Sequence, residues 1–165
     1  MDLNNKQQSL LKKLNSRFLF KLVSIAKLPM ALITGLKIEE ITPSICKTRV
    51  NYSYLNKNPF QSTYFAVQSM AAELSTGSLA LLYVGGFNSD VSFILTGIKA
   101  NFLKKAKDKT FFICKEGEAF HNTVKEARRT KLQTIITVST IGFNNQGEIV
   151  SEFEFTWSFK VRDIK

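Results

Sequence analysis

Hydrophobic positions follow two different periods along this chain, and the change of period divides it into elements. Between residues 58 and 84, Phe65, Ala66, Val67, Met70, Ala71, Ala72, Leu74, Leu79, Ala80, Leu81 and Leu82 occupy nearly every side of a helix. A helix apolar all round is buried, and Gly85-Gly86 with Asn88 stop it. The second half is rich in Ile, Val, Thr and Phe and predicts strands over 91–103, 110–114, 132–143 and 149–161, with a turn at Asn144-Asn145-Gln146-Gly147. In the last run Ile149, Phe153, Phe155, Trp157, Phe159 and Val161 alternate with Val150, Glu152, Glu154, Ser158 and Lys160, which puts one face on a core and one in water. Residues 36–41 and 45–52 flank Pro43-Ser44 as a hairpin does, and Phe120, Val124 and Ala127 form the inward stripe of a short helix within 115–130. Leu10, Leu11, Leu14, Phe18, Leu22 and Ile25 recur at three- and four-residue steps, so the first thirty residues predict one amphipathic helix ended by Pro29 and Gly35. Its expected place is against the body with a solvated basic face; the sharper alternative is contact with a membrane surface or a partner.

Composition narrows the picture. At 165 residues and 44% hydrophobic content the chain suits one structural domain, with residues 1–34 as the added N-terminal helix and 35–165 as the body. Fourteen Phe residues supply core area without disulfides or structural metal. Cys46 and Cys114 lie far apart with no paired spacing and read as reduced thiols, and a single His leaves no set for a zinc site. The net charge of +10 and pI near 9.7 point to anionic partners. The basic residues are scattered, without the aromatic interleaving of a nucleic-acid motif, so specific nucleic-acid binding is not expected. No apolar run reaches the ~18 residues a membrane span needs; Lys21 and Lys27 interrupt the nearest, and the expected location is cytoplasmic.

Between Lys57 and Asp90 the one formally charged side chain is Glu73, in the most apolar stretch of the chain. Burying a lone carboxylate costs several kcal/mol unless it is paired or protonated, and desolvation raises its pKa. Such a group serves as a general base or as a nucleophile toward a carbonyl; otherwise it pairs with a Lys or Arg or emerges at a dimer surface. Asn58 could cap the helix, with Pro59 at its first position and Gln61 answering the cap; Ser62 and Thr63 are rival caps. Helix-start amides around Tyr64, Phe65 and Ala66 could hold an oxyanion. Thr76, one turn beyond Glu73, could orient a water, and Gln68 could contact substrate; for both, packing is the competing reading.

Two strands, one wholly buried helix and four more strands make an α+β arrangement, a curved antiparallel sheet wrapped round a long central helix. This is the hotdog plan. The segment from Asn58-Pro59-Phe60 to Tyr64-Phe65-Ala66, followed by Glu73, resembles the helix signature of the phenylacetate-pathway type of acyl-CoA thioesterases. Asn58 and Glu73 fall six before and nine after Tyr64, at that family's Asn and acidic positions. Tyr64-Phe65-Ala66 replaces the family's His-Gly-Gly. Asn101-Phe102-Leu103-Lys104 is similar to its strand ending in Phe-Leu-Arg. The resemblance covers about 35–162 and is closer to an uncharacterised bacterial branch of the hotdog superfamily whose helix begins Asn-Pro-Phe.

The resemblance implies a homodimer paired edge to edge, with an acyl-thioester pocket at the interface; a tetramer built from two such dimers is left open. It also implies Glu73 as the catalytic group acting on acyl-CoA or an acyl-carrier thioester. Coenzyme A enters as part of the substrate and no separate cofactor is expected. Lys99, Lys104, Lys105 and Lys107, with Arg128, Arg129 and Lys131, are candidates to meet its phosphates, or simply solvated surface, and Asn101 is a further candidate to contact substrate. The leading expectation is a thioester hydrolase, and the alternative is an acyl-CoA or lipid-binding module without turnover. A dehydratase would need a His beside its acid, and His121 lies far from the motif.

Overall fold

Phe153, Phe155, Trp157 and Phe159 are all turned inward and almost wholly buried, as their alternation requires. They belong to the last strand of a computed structural model that describes residues 3–162; residues 1–2 and 163–165, the outer ends of the two expected stretches, lie outside it. Among the described residues five α-helices and six strands follow in the order α1 (Asn5–Asn15), α2 (Arg17–Lys27), α3 (Pro29–Ile33), β1 (Lys37–Ile41), β2 (Cys46–Asn51), α4 (Phe65–Val84), β3 (Val91–Phe102), β4 (Lys109–Cys114), α5 (Gly117–Thr130), β5 (Thr134–Phe143) and β6 (Ile149–Val161). The strands pair antiparallel in the order β1-β2-β4-β5-β6-β3, leaving β1 and β3 as edges. Helix α4 touches all six, which is the hotdog arrangement expected from the sequence. Helix α5 packs on β5, β6 and α4 with Phe120, Val124 and Ala127 fully inside.

Three expectations need correction. The N-terminal region is three helices, because Ser16 leaves the helical conformation and its hydroxyl accepts the amide of Leu19, starting α2 in a new orientation. Pro29 then opens α3 at its first turn, where its missing N–H costs nothing. The break rotates the apolar stripe: Leu14 is buried, but Phe18, Leu22 and Ile25 are exposed and Phe20 and Ser24 point inward instead.

The central helix begins at Phe65, well after Pro59, and Tyr64 caps it with no side-chain hydrogen bond. Asn58 Oδ1 accepts the amides of Phe60 and Ser62, so the Asn holds a tight loop upstream rather than the helix. Neither Ser62 nor Thr63 is the cap. Cys46 and Cys114, separated in sequence, are direct partners across β2 and β4. Both are free, buried thiols whose pKa burial pushes up, that of Cys114 to about 12, which makes them poor nucleophiles.

Candidate active site

One side of α4 is packed and hydrogen-bonded to the sheet. Ala71, Ala72, Leu79 and Leu82 have no exposed surface, the Ser75 hydroxyl meets that of Thr140 at 2.9 Å, and Thr48 donates to the Ala71 carbonyl at 2.6 Å. The other side carries Met70, Glu73, Leu74, Gly77, Ser78 and Leu81, spaced by three and four residues. This stripe is only partly covered by the next layer. A cavity of about 1000 Å³ opens between it and α1, α2 and α3, at the upper end of the range for ligand sites. Its walls are mainly aliphatic and aromatic, from Leu10 and Leu14 of α1 through Phe20 and Val23 of α2 to Phe87 and Phe93.

Among the described residues Glu73 is the one acid lining this space. Its carboxylate forms no hydrogen bond or ion pair among the described residues, so the cation partner weighed as the alternative is not there. Withdrawal from water alone pushes its pKa up to about 7. The residue is half-buried rather than enclosed, because the cavity itself exposes it. Gly77, one turn on, makes this placement possible: a Cβ there would lie 2.5 Å from Glu73 Oε1 and 3.4 Å from the Trp157 ring. A glycine inside a helix costs about 1 kcal/mol against alanine, and here the missing side chain is the seat of the carboxylate.

The structure does not gather the other predicted site residues round Glu73. Phe65 opens α4 eight residues before it, about 12 Å along the axis, so the helix-start amides cannot meet the same carbonyl within one protomer. The amide of Tyr64 is in any case bonded to the Asn56 carbonyl at 2.8 Å. Thr76 is buried, donating to the Glu73 carbonyl at 3.0 Å and accepting from Trp157 Nε1 at 3.2 Å, which fixes the helix and leaves no hydroxyl for a water. Gln68 is likewise committed, donating to the Thr63 carbonyl and accepting from Ser151.

Lys99 and Asn101 sit beside a small groove on the sheet, where Lys99 pairs with Glu154; Lys104 pairs with Glu148, and Lys105 lies over the ring of Phe60. Arg128 binds the Val84 carbonyl at the end of α4 and pairs with Asp90, holding that carboxyl down at about 2. Arg129 pairs with Glu126, Lys131 terminates α5, and Lys107 is exposed. His121 packs edge-on against Tyr83 and does not line the cavity. The cations that do border it are Lys6, Lys13 and Lys27, all exposed. Sequence reasoning missed these three and Gly77. The spacing Glu73-x-x-x-Gly77 was the available signal, since i and i+4 share a helix face.

No protein-family model matches the chain, and no curated protein matches it. Several solved structures do. A Pseudomonas aeruginosa protein of unknown function, described as a probable thioesterase, superposes with a TM-score of 0.75 at 20% identity, covering 89% of this chain and 97% of its own. A Haemophilus influenzae thioesterase gives 0.61 at 12%, covering 85% and 88%, and a thioesterase family protein of Silicibacter pomeroyi gives 0.60 at 17%, covering 84% and 94%. At such identities the likeness speaks for architecture, and the strand order, the buried α4 and these superpositions together give the chain the hotdog fold shared with those thioesterases.

Proposed function

We propose that the protein is a thioester hydrolase acting on acyl-CoA or an acyl chain carried on a protein, with Glu73 as general base. The observation that carries this reading is an unpaired carboxylate, raised to about 7, on the wall of an apolar cavity of about 1000 Å³. A base with a pKa near the working pH is half ionised there and matched to proton transfer. The acyl chain lies among the aliphatic and aromatic walls. Glu73 takes a proton from a water, the oxygen attacks the thioester carbonyl carbon, the C–S bond breaks, and the departing sulfur takes the proton back. Coenzyme A phosphates would meet Lys6, Lys13 and Lys27 at the rim rather than Lys104 or Lys105, whose positions are remote from the cavity.

The reading includes a cytoplasmic homodimer. Edge strand β3 exposes Ile94, Ile98 and Phe102, and Phe65 at the start of α4 packs on Phe102 at 6.1 Å, extending the apolar patch. Such a patch on an unpaired edge supports strand-to-strand association. The helix start of the second copy is then the remaining source of α4 oxyanion donors.

The test is release of free thiol from acyl-CoAs of graded chain length, with Glu73→Gln alongside. Turnover that disappears in the variant supports hydrolysis, and equal turnover in both sinks it. Thermal stabilisation by acyl-CoA with no turnover in either would make the cavity that of a binding module.

A further inference from the structure

The outward face of α2 and α3 is apolar where a solvated helix is ordinarily polar. Phe18, Leu22 and Ile25 run along one side of α2 at 70%, 48% and 56% exposure, and Met30 and Ile33 of α3 continue the surface at 54% each. Single exposed apolar residues are normal on proteins, but a continuous stripe marks a contact. The stripe is bordered by cations. Arg17 and Lys21 flank it on α2, Lys12 and Lys13 close the preceding helix, and Lys27 ends α2. Residues 3–34 contain no acid to offset them.

An apolar helix face with a cationic border is the pattern of a helix lying in the plane of an anionic bilayer surface. A second copy of the same face would bring two positive borders together, which opposes self-pairing. The placement of the face adds an independent argument. Leu28 and Met30 are exposed and also line the cavity, so the same short segment is at once its wall and the outer surface.

We infer that α2 and α3 seat the protein on an anionic phospholipid surface, with the mouth of the Glu73 cavity turned toward the acyl-chain boundary. A long acyl chain then passes from bilayer to cavity without crossing water. The seat stands on the exposed face alone, whereas the nature of what passes rests on the hydrolase reading. Helix α1 remains the anchor in this arrangement: Gln7 donates to the Tyr83 carbonyl at 3.1 Å, and Asn15 bonds both the amide and the carbonyl of Ile41.

The experiment is cosedimentation of the full chain with vesicles of phosphatidylcholine containing phosphatidylglycerol, against vesicles of phosphatidylcholine alone. The anionic vesicles should bind about tenfold more tightly or better, with the difference falling as salt is added. The triple variant Phe18→Ser, Leu22→Ser, Ile25→Ser and the double variant Arg17→Glu, Lys21→Glu alter exposed positions that do not line the cavity. Each should lose about tenfold in vesicle binding while hydrolysing a short, water-soluble acyl thioester at the parent rate. Binding that ignores lipid charge, or that survives both variants, overturns the seat. So does self-association without lipid that the triple variant abolishes, which would give the face to a second copy. Glu73→Gln should bind vesicles like the parent. Vesicle binding with no turnover of any thioester would therefore overturn the hydrolase reading while leaving the seat in place.

Discussion

The two sides of α4 are built for opposite ends. Toward the sheet, Leu79 and Leu82 have no exposed surface and the buried hydroxyls of Ser75, Thr76 and Thr48 all have partners. Toward α1–α3, the helix faces a void, carries a glycine in mid-helix and presents an acid with no partner among the described residues. A folding domain gains from closing such a gap and removing such a charge. Its persistence on one side only, a few ångströms from close packing on the other, separates the face that holds the molecule together from the face available for chemistry.

Substitutions on the two sides should therefore fail in different ways. The largest effect falls on activity: Glu73→Gln should lower thiol release by about 10²–10⁴-fold, the usual contribution of a general base. In the parent the rate should climb with pH through about 7 and level off above it, since only the ionised carboxylate accepts a proton. A flat profile from pH 5 to 9 would remove Glu73 from the mechanism.

On the sheet side, Leu79→Ala should cost about 2–5 kcal/mol of stability by leaving a cavity in packed surroundings. A urea midpoint shifted by no more than an exposed-site substitution would show that this side is not the tighter one. Glu73→Gln should do the reverse and stabilise the fold, but only when the acid would be charged. Its folded pKa lies above the ordinary value of 4.5, so the folded state holds the proton more tightly, and stability falls as pH rises from 4.5 to about 7. The gain from the variant should thus be near zero at pH 4 and approach about 3 kcal/mol at pH 8, at about 1.4 kcal/mol per pK unit. Denaturation at the two pH values measures it, and a gain larger at pH 4 would contradict the sign.

The smallest effect is the most pointed. Gly77→Ala places a methyl where Glu73 Oε1 rests, and the carboxylate, the end of a flexible side chain, is what must move. Helix propensity should raise stability by up to about 1 kcal/mol, while hydrolysis falls by about tenfold or more through misplacement of the base. Loss of stability together with activity would mean that the glycine serves packing rather than the site.

How much of this was legible beforehand depended on whether neighbouring residues or distant ones decide the matter. The spacing of Phe120, Val124 and Ala127 predicts the inward stripe that α5 shows, because the helix is unbroken and lies against the sheet. The same periodicity holds for Leu14 but fails for Phe18, Leu22 and Ile25, since a single serine breaks the helix and resets its rotation. Asn58 stands before an apolar run as a cap does, yet its carboxamide is satisfied by its own loop, seven residues ahead of the first residue of the helix. Glu73 could be singled out because its isolation in sequence is itself the anomaly. Lys99, Lys104 and Lys105 could not be sorted from Lys6, Lys13 and Lys27, because a lysine's partner is a matter of which strand or helix passes beside it.

Sequence alone determined the elements of the body, the burial of the central helix and the one acid within it, since periodicity and composition act through near neighbours along the chain. Tertiary structure alone decided that α2 and α3 stand off from α4 across a cavity, that Glu73 opens onto it beside Gly77, and that Cys46 faces Cys114. Those outcomes depend on how far apart packed layers settle and how one strand registers against another. Such quantities are set by the summed contacts of residues remote in the chain, and no local pattern encodes them.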